Sequence, residues 1–100
     1  MANLSCLHAV IYGHVQGVYF RAFALENAVS LGLIGYTRNL SGEEAVEVWS
    51  EGEKGKLEEL LALLKTGPPS ARVDKVSVVW QACTGKYNNF KIDYSGEVSH

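Results

Sequence analysis

Apolar and polar residues change their period several times along the chain, and each change marks a new element. Leu7-His8-Ala9-Val10-Ile11-Tyr12 is a mostly apolar run stopped by Gly13, the pattern of a buried first strand. From Phe20 to Leu31 the apolar residues Phe20, Phe23, Ala24, Ala28 and Leu31 recur at the helical period, and Gly32 follows as a helix stop. Leu33 to Asn39 and Ala45 to Ser50 read as two strands joined by the hairpin loop Leu40-Ser41-Gly42-Glu43-Glu44. Leu57, Leu60, Leu61 and Leu64 then form the i, i+3, i+4, i+7 stripe of an amphipathic helix, ended by Gly67-Pro68-Pro69. Val76, Val78 and Trp80 alternate with Ser77, Val79 and Gln81 in a fourth strand. Phe90, Ile92 and Tyr94 alternate with Lys91, Asp93 and Ser95 in a short fifth.

The order β-α-β-β-α-β plus a short C-terminal fifth strand predicts an α+β fold, a ferredoxin-like α/β sandwich with two helices on one face of a mainly antiparallel sheet. No linker, repeat or low-complexity tract interrupts it, so residues 1–100 read as a single domain. In this topology the first and second strands run parallel with the third between them. Their carboxyl ends, the segment Gly13–Tyr19 and Asn39, then share one edge of the sheet, where open α/β sheets commonly bind ligands.

Composition narrows the function. The chain is 47% apolar and one-fifth charged, which fits a globular protein rather than disorder. Its net charge of −2 and scattered basic residues argue against a nucleic-acid module. No apolar run approaches membrane-span length and no signal-like opening is present, so a cytoplasmic location is expected. Cys6 and Cys83 have no metal-ligand spacing and His8, His14 and His100 form no metal motif, so neither a metal nor another cofactor is expected. The cysteines read as reduced thiols. An antiparallel fourth strand beside the first would nevertheless bring them close, leaving a bridge as the alternative. Phe20, Phe23 and Trp80 read as core; Glu43, Glu44, Glu47, Glu51 and Glu53 read as a solvated acidic surface.

Chemistry concentrates in Gly13-His14-Val15-Gln16-Gly17-Val18-Tyr19-Phe20-Arg21. Two glycines in a strand-to-helix turn allow positive φ, so successive N–H groups can converge on an anion at a helix N-terminus. Arg21 in the first turn opposes the helix dipole, at a cost of roughly 0.3–1 kcal/mol that a bound anion would reverse. Neither GxxxxGK[ST] nor GxGxxG is present.

This segment resembles the acylphosphatase signature G-x-V-Q-G-V-x-F-R at every specified position, and Gly35-Tyr36-Thr37-Arg38-Asn39 is similar to the family's second signature. The resemblance continues through Ala71–Val76 and Phe90–Tyr94. It implies hydrolysis of acyl phosphates to a carboxylate and inorganic phosphate, with phosphate as product and inhibitor. It also implies that Arg21 and the backbone amides of Val15, Gln16, Gly17, Val18 and Tyr19 hold the phosphoryl group while Asn39 positions the attacking water. His14 and Tyr19 occupy variable family positions. Thr37 replaces the family's usual Val, Ala or Cys. The hairpin after Asn39 carries Glu43 and Ala45 where the family has Gly and Val, and Gly42 and Val46 fit a loop one residue longer, which bears on the aim of Asn39. A monomer is expected on size. A phosphate-binding module without turnover, and an RNA-binding domain of the same element order, are the competing classes. The second lacks the basic, aromatic-rich third strand it would use.

Overall fold

The computed structural model describes residues 4–94; Ser95 of the expected last-strand alternation and His100 lie outside the described residues. The elements follow in the order β1 Leu4–His14, α1 Phe20–Ser30, β2 Ile34–Asn39, β3 Ala45–Glu53, α2 Lys54–Thr66, β4 Arg72–Gln81 and β5 Phe90–Ile92. They build one five-stranded sheet of order β4-β1-β3-β2-β5, antiparallel except where β5 pairs with β2. This is the ferredoxin-like α+β arrangement expected from the pattern. β1 runs past Gly13 to His14, because its register with β4 shifts between Tyr12 and Gly13 and pairing resumes beyond the irregularity.

Leu7, Ala9 and Ile11 of β1 and Val46 and Val48 of β3 point to one face, where Phe20, Ala24, Ala28, Leu57, Leu60 and Leu64 of the two helices close the core. Leu31 is the C-cap of α1, and Gly67 caps α2 through its N–H to the Leu63 carbonyl at 2.8 Å. Phe20 is fully buried and Phe23 partly so, whereas Trp80 is 40% exposed and not core. Its position opposite Leu7 puts it on the helix side of the sheet, but β4 is an edge strand. The Trp80 ring there meets the Lys54 ammonium 5.2 Å from its centroid rather than a layer of apolar side chains.

Two members of the acidic stretch are likewise not solvated. Glu47 and Glu51 are 9% and 4% exposed, on the sheet face opposite the helices. Glu47 accepts from His8 Nε2 at 2.6 Å and Arg38 Nε at 2.5 Å. Burial pushes its carboxyl up, but the bonds from His8 and Arg38 outweigh that and hold it below its ordinary value. Both glutamates alternate with the core residues Val46 and Val48 along β3 and so face away from the helices, where partners from β1, β2 and the segment after β4 cover them instead of solvent.

The cysteines are also paired. Gln81 of β4 stands opposite Cys6 of β1, and Cys83 follows two residues later, within a Cα–Cα distance of 5.1 Å; the two are joined in a disulfide rather than left as thiols.

Gly35 owes its identity to close approach between strands. A Cβ added there, at φ +136°, would lie 1.9 Å from the Trp49 carbonyl oxygen on β3, whereas one added at Gly17, φ +72°, would meet nothing within 4 Å. Gly17→Ala is expected to cost only the left-handed backbone penalty of about 1–2 kcal/mol, and Gly35→Ala about 3 kcal/mol or more, because backbone must move. Urea midpoints of the two variants check this; equal losses would contradict it.

Candidate active site at the carboxyl ends of β1, β2 and β5

Val46 of β3 pairs with Ile11 of β1 on one side and with Asn39 of β2 on the other. β1 and β2 are therefore parallel, and both end at the same edge of the sheet. β5 adds a third carboxyl end, since it runs parallel to β2 and the Asp93 N–H continues the pairing to the Thr37 carbonyl at 2.8 Å. The β1–α1 loop crosses this edge.

The loop is fixed before it meets any ligand. Val15 inserts its side chain into the core. The Gln16 amide nitrogen donates to the carbonyls of Leu40, Glu43 and Ala45 at 3.0, 3.0 and 2.9 Å, fastening the loop to the β2–β3 hairpin. Ser70 Oγ donates to the Val18 carbonyl at 2.7 Å, tying it to the segment after α2. Between these anchors Gly17 (φ 72°) and Tyr19 (φ 72°) both take the left-handed conformation. Glycine does so freely, but Tyr19, the sole non-glycine residue with positive φ among those described, stores roughly 1–2 kcal/mol of backbone strain. Tyr19 is the N-cap of α1 and contributes no side-chain cap, and the first turn holds no acidic residue. Its hydroxyl instead donates to Glu26, which pushes the phenol above its ordinary 10.0.

Arg21 stands in that first turn, where dipole and uncapped amides favour an anion and disfavour a cation. It lines a pocket of about 200 Å³ with Val15, Gly17, Tyr19, Ile92 and Tyr94. That is smaller than the sites that enclose drug-sized ligands and is suited to a small anion. The Tyr94 ring lies 5.2 Å from the guanidinium carbon. Asn39 lies at the end of β2 on the same face as the buried Gly35 and Thr37, the face that α1 covers. Of the residues singled out from the sequence, Val15, Gly17, Tyr19 and Arg21 line the pocket, whereas Gln16, Val18 and Asn39 are not in its described lining.

Three contributors were not expected from sequence. Ile92 and Tyr94 arrive through β5, and only the parallel β2–β5 pairing reveals their position. The third is Glu44: its Oε2 accepts from the Gln16 N–H at 2.8 Å and the Val15 N–H at 3.3 Å, so a carboxylate of the lengthened hairpin sits on two loop amides. The signal available for it was the extra hairpin residue itself.

The acylphosphatase family profile matches residues 7–92. The chain belongs to the acylphosphatase family. It is 50% identical over 91 residues to an acylphosphatase of Dehalococcoides mccartyi, covering 91% of this chain and 100% of that one. Its fold superposes on the crystal structure of acylphosphatase from Bacillus subtilis with a TM-score of 0.85 at 29% identity, over 92% of this chain and 100% of the other. An acylphosphatase from Coxiella burnetii gives the same TM-score at 34% identity, over 91% and 94% of the two chains.

Glu44 places a negative charge on the loop that borders the Arg21 pocket and occupies two of its backbone N–H groups. Glu44→Gln removes the charge while keeping the reach. Inorganic phosphate is expected to bind the variant several-fold more tightly at low ionic strength, with the gain shrinking as salt is added. Isothermal titration at two salt concentrations checks this; weaker binding would show that Glu44 holds the loop open for the anion.

Proposed function

We propose that Arg21 and the backbone amides of the 15–19 segment hold the phosphoryl group of an acyl phosphate while Asn39 positions the water that attacks it. Membership of the family makes this chain an acylphosphatase, an enzyme that hydrolyses acyl phosphates; the proposal concerns which residues do it. The observation that carries it is an arginine in the first turn of α1, lining a small pocket beside a left-handed turn. A guanidinium there offers paired N–H donors to two phosphoryl oxygens, and the bound anion offsets the charge–dipole conflict. In this reading the N–H groups of Val15 and Gln16, which donate to Glu44, reach the anion when Glu44 releases them.

Phosphoryl transfer needs positioning and charge stabilisation more than covalent help. Water oxygen bonds to phosphorus in line as the phosphorus–oxygen bond to the acyl group breaks. That electron pair leaves on the carboxylate, a weak base that needs no proton. Asn39 can accept one water proton in a hydrogen bond through Oδ1 and donate from Nδ2 to a phosphoryl oxygen, bringing no negative charge to an anionic substrate. The water's proton passes to the phosphate product. A single domain over residues 1–100, a monomer, inhibition by inorganic phosphate and a cytoplasmic location belong to the same proposal. No helix among the described residues is long and apolar enough to cross a membrane.

The test is hydrolysis of benzoyl phosphate with a chelator present. Arg21→Gln is expected to lower turnover by at least about 10²–10³ and to weaken phosphate inhibition, because a preorganised charged donor is removed. Turnover retained in this variant would remove Arg21 from the site. In Asn39→Ala kcat is expected to fall by a similar factor with the inhibition constant for phosphate nearly unchanged. Collapse of phosphate binding would instead make Asn39 a phosphate ligand. A folded wild-type protein that binds phosphate without turnover would favour the binding-module class.

A further inference from the structure

The other end of the sheet carries a second cluster, unrelated to the phosphate pocket. Cys6 lies near the start of β1 and is fully buried, while Cys83 is exposed in the irregular segment that follows β4. Register brings a third group to them: Glu51 of β3 stands directly opposite Cys6. The two Sγ atoms and a Glu51 carboxylate oxygen all lie within 4.8 Å of one another. Glu51 is buried, and Trp49 Nε1 and Thr84 Oγ1 both donate to its Oε2 at 2.8 Å. A cavity of about 250 Å³ opens beside the cluster, with Glu51 and Cys83 in its wall.

We propose that, when the disulfide is reduced, Cys6, Cys83 and Glu51 form a binding site for a thiophilic divalent cation, Zn²⁺ in the first instance, with water from the adjoining cavity as fourth ligand. Two thiolates and a carboxylate are a donor set that tetrahedral Zn²⁺ accepts. The donors from Trp49 and Thr84 supply the outer hydrogen bonds that orient a metal-binding carboxylate. Zn–S bonds of about 2.3 Å in tetrahedral geometry place the sulfurs about 3.7 Å apart. Cys83 can open to that separation, since no strand pairing fixes the segment it belongs to.

The chemistry balances with a phosphine as reductant. The phosphine takes oxygen from water and becomes a phosphine oxide, and the disulfide gains two electrons and two protons to give two thiols. Zn²⁺ then replaces the two thiol protons, which pass to solvent. Disulfides persist in oxidising compartments and are rare where thiol buffers act. The same residues can therefore tie the start of β1 to the segment after β4 in either setting, by a covalent bond in one and a metal in the other.

The experiment titrates Co²⁺ into metal-free protein, oxidised and phosphine-reduced, and reads the thiolate-to-cobalt charge-transfer absorption. One equivalent is expected to give the band in the reduced protein alone, and Zn²⁺ is expected to abolish it by displacement. Cys83→Ser, at an exposed position remote from the phosphate pocket, is expected to lose the band while keeping benzoyl phosphate turnover. Glu51→Gln, which preserves the hydrogen-bonding shape, is expected to weaken Co²⁺ binding at least about 10-fold. A reduced wild-type protein without the band overturns the proposal, as does an undiminished band in Cys83→Ser.

Discussion

Everything at the Arg21 pocket depends on β3 lying between β1 and β2. Val46 stands in register with Ile11 on one side and Asn39 on the other. Because β3 is antiparallel to each, β1 and β2 point the same way and release their chains at one edge. A slip of one residue in either pairing would turn a whole strand over, sending its core residues to solvent. It would also carry Asn39 from the face that α1 covers to the opposite one. The burial of Leu7, Ala9, Ile11, Val46 and Val48 on the shared face makes that slip costly. Hydrophobic burial far from the pocket thus fixes its geometry.

On this frame the β1–α1 loop is held by contacts with other parts of the chain rather than by its own turn chemistry. One Gln16 amide group engages three hairpin carbonyls, and one Ser70 hydroxyl engages Val18. These bonds offset the left-handed strain at Tyr19, which persists because both flanks are fixed. The fastening runs both ways: Gln16 grips the hairpin through its carbonyls, and the hairpin returns the carboxylate of Glu44 to two N–H groups of the loop.

Periodicity was sufficient to read the element order, both helices and the layered α+β architecture, because those features rest on local pattern and on which face is apolar. It was insufficient wherever coverage is supplied by residues distant in sequence. Trp80 alternates correctly yet remains exposed, since an edge strand has a neighbour on one side alone. Glu47 and Glu51 alternate as solvent-facing residues yet are buried, since His8, Arg38, Trp49 and Thr84 cover them across the second face. Tyr94 reaches Arg21 only through a parallel pairing that no local pattern encodes. The β1–α1 loop was legible for a different reason: Gly17 answers a local demand for positive φ, and the run from Gly13 to Arg21 matches a family signature, although the carbonyls that Gln16 grips lie far along the chain.

The two clusters of functional groups sit at opposite ends of β1, and the strand between them is covered on one face by the helices. Cys6 opens the strand and the phosphate loop follows its close, so a change of ligand or redox state at one end reaches the other only through a rigid, paired element. The pairing of β1 with β3 runs unbroken from Leu4 to Tyr12, so the sheet holds the two clusters apart by a fixed span. That separation would let the cysteine cluster answer to the redox state of its surroundings while the pocket beside Arg21 keeps the preorganised geometry that the proposed phosphoryl transfer requires.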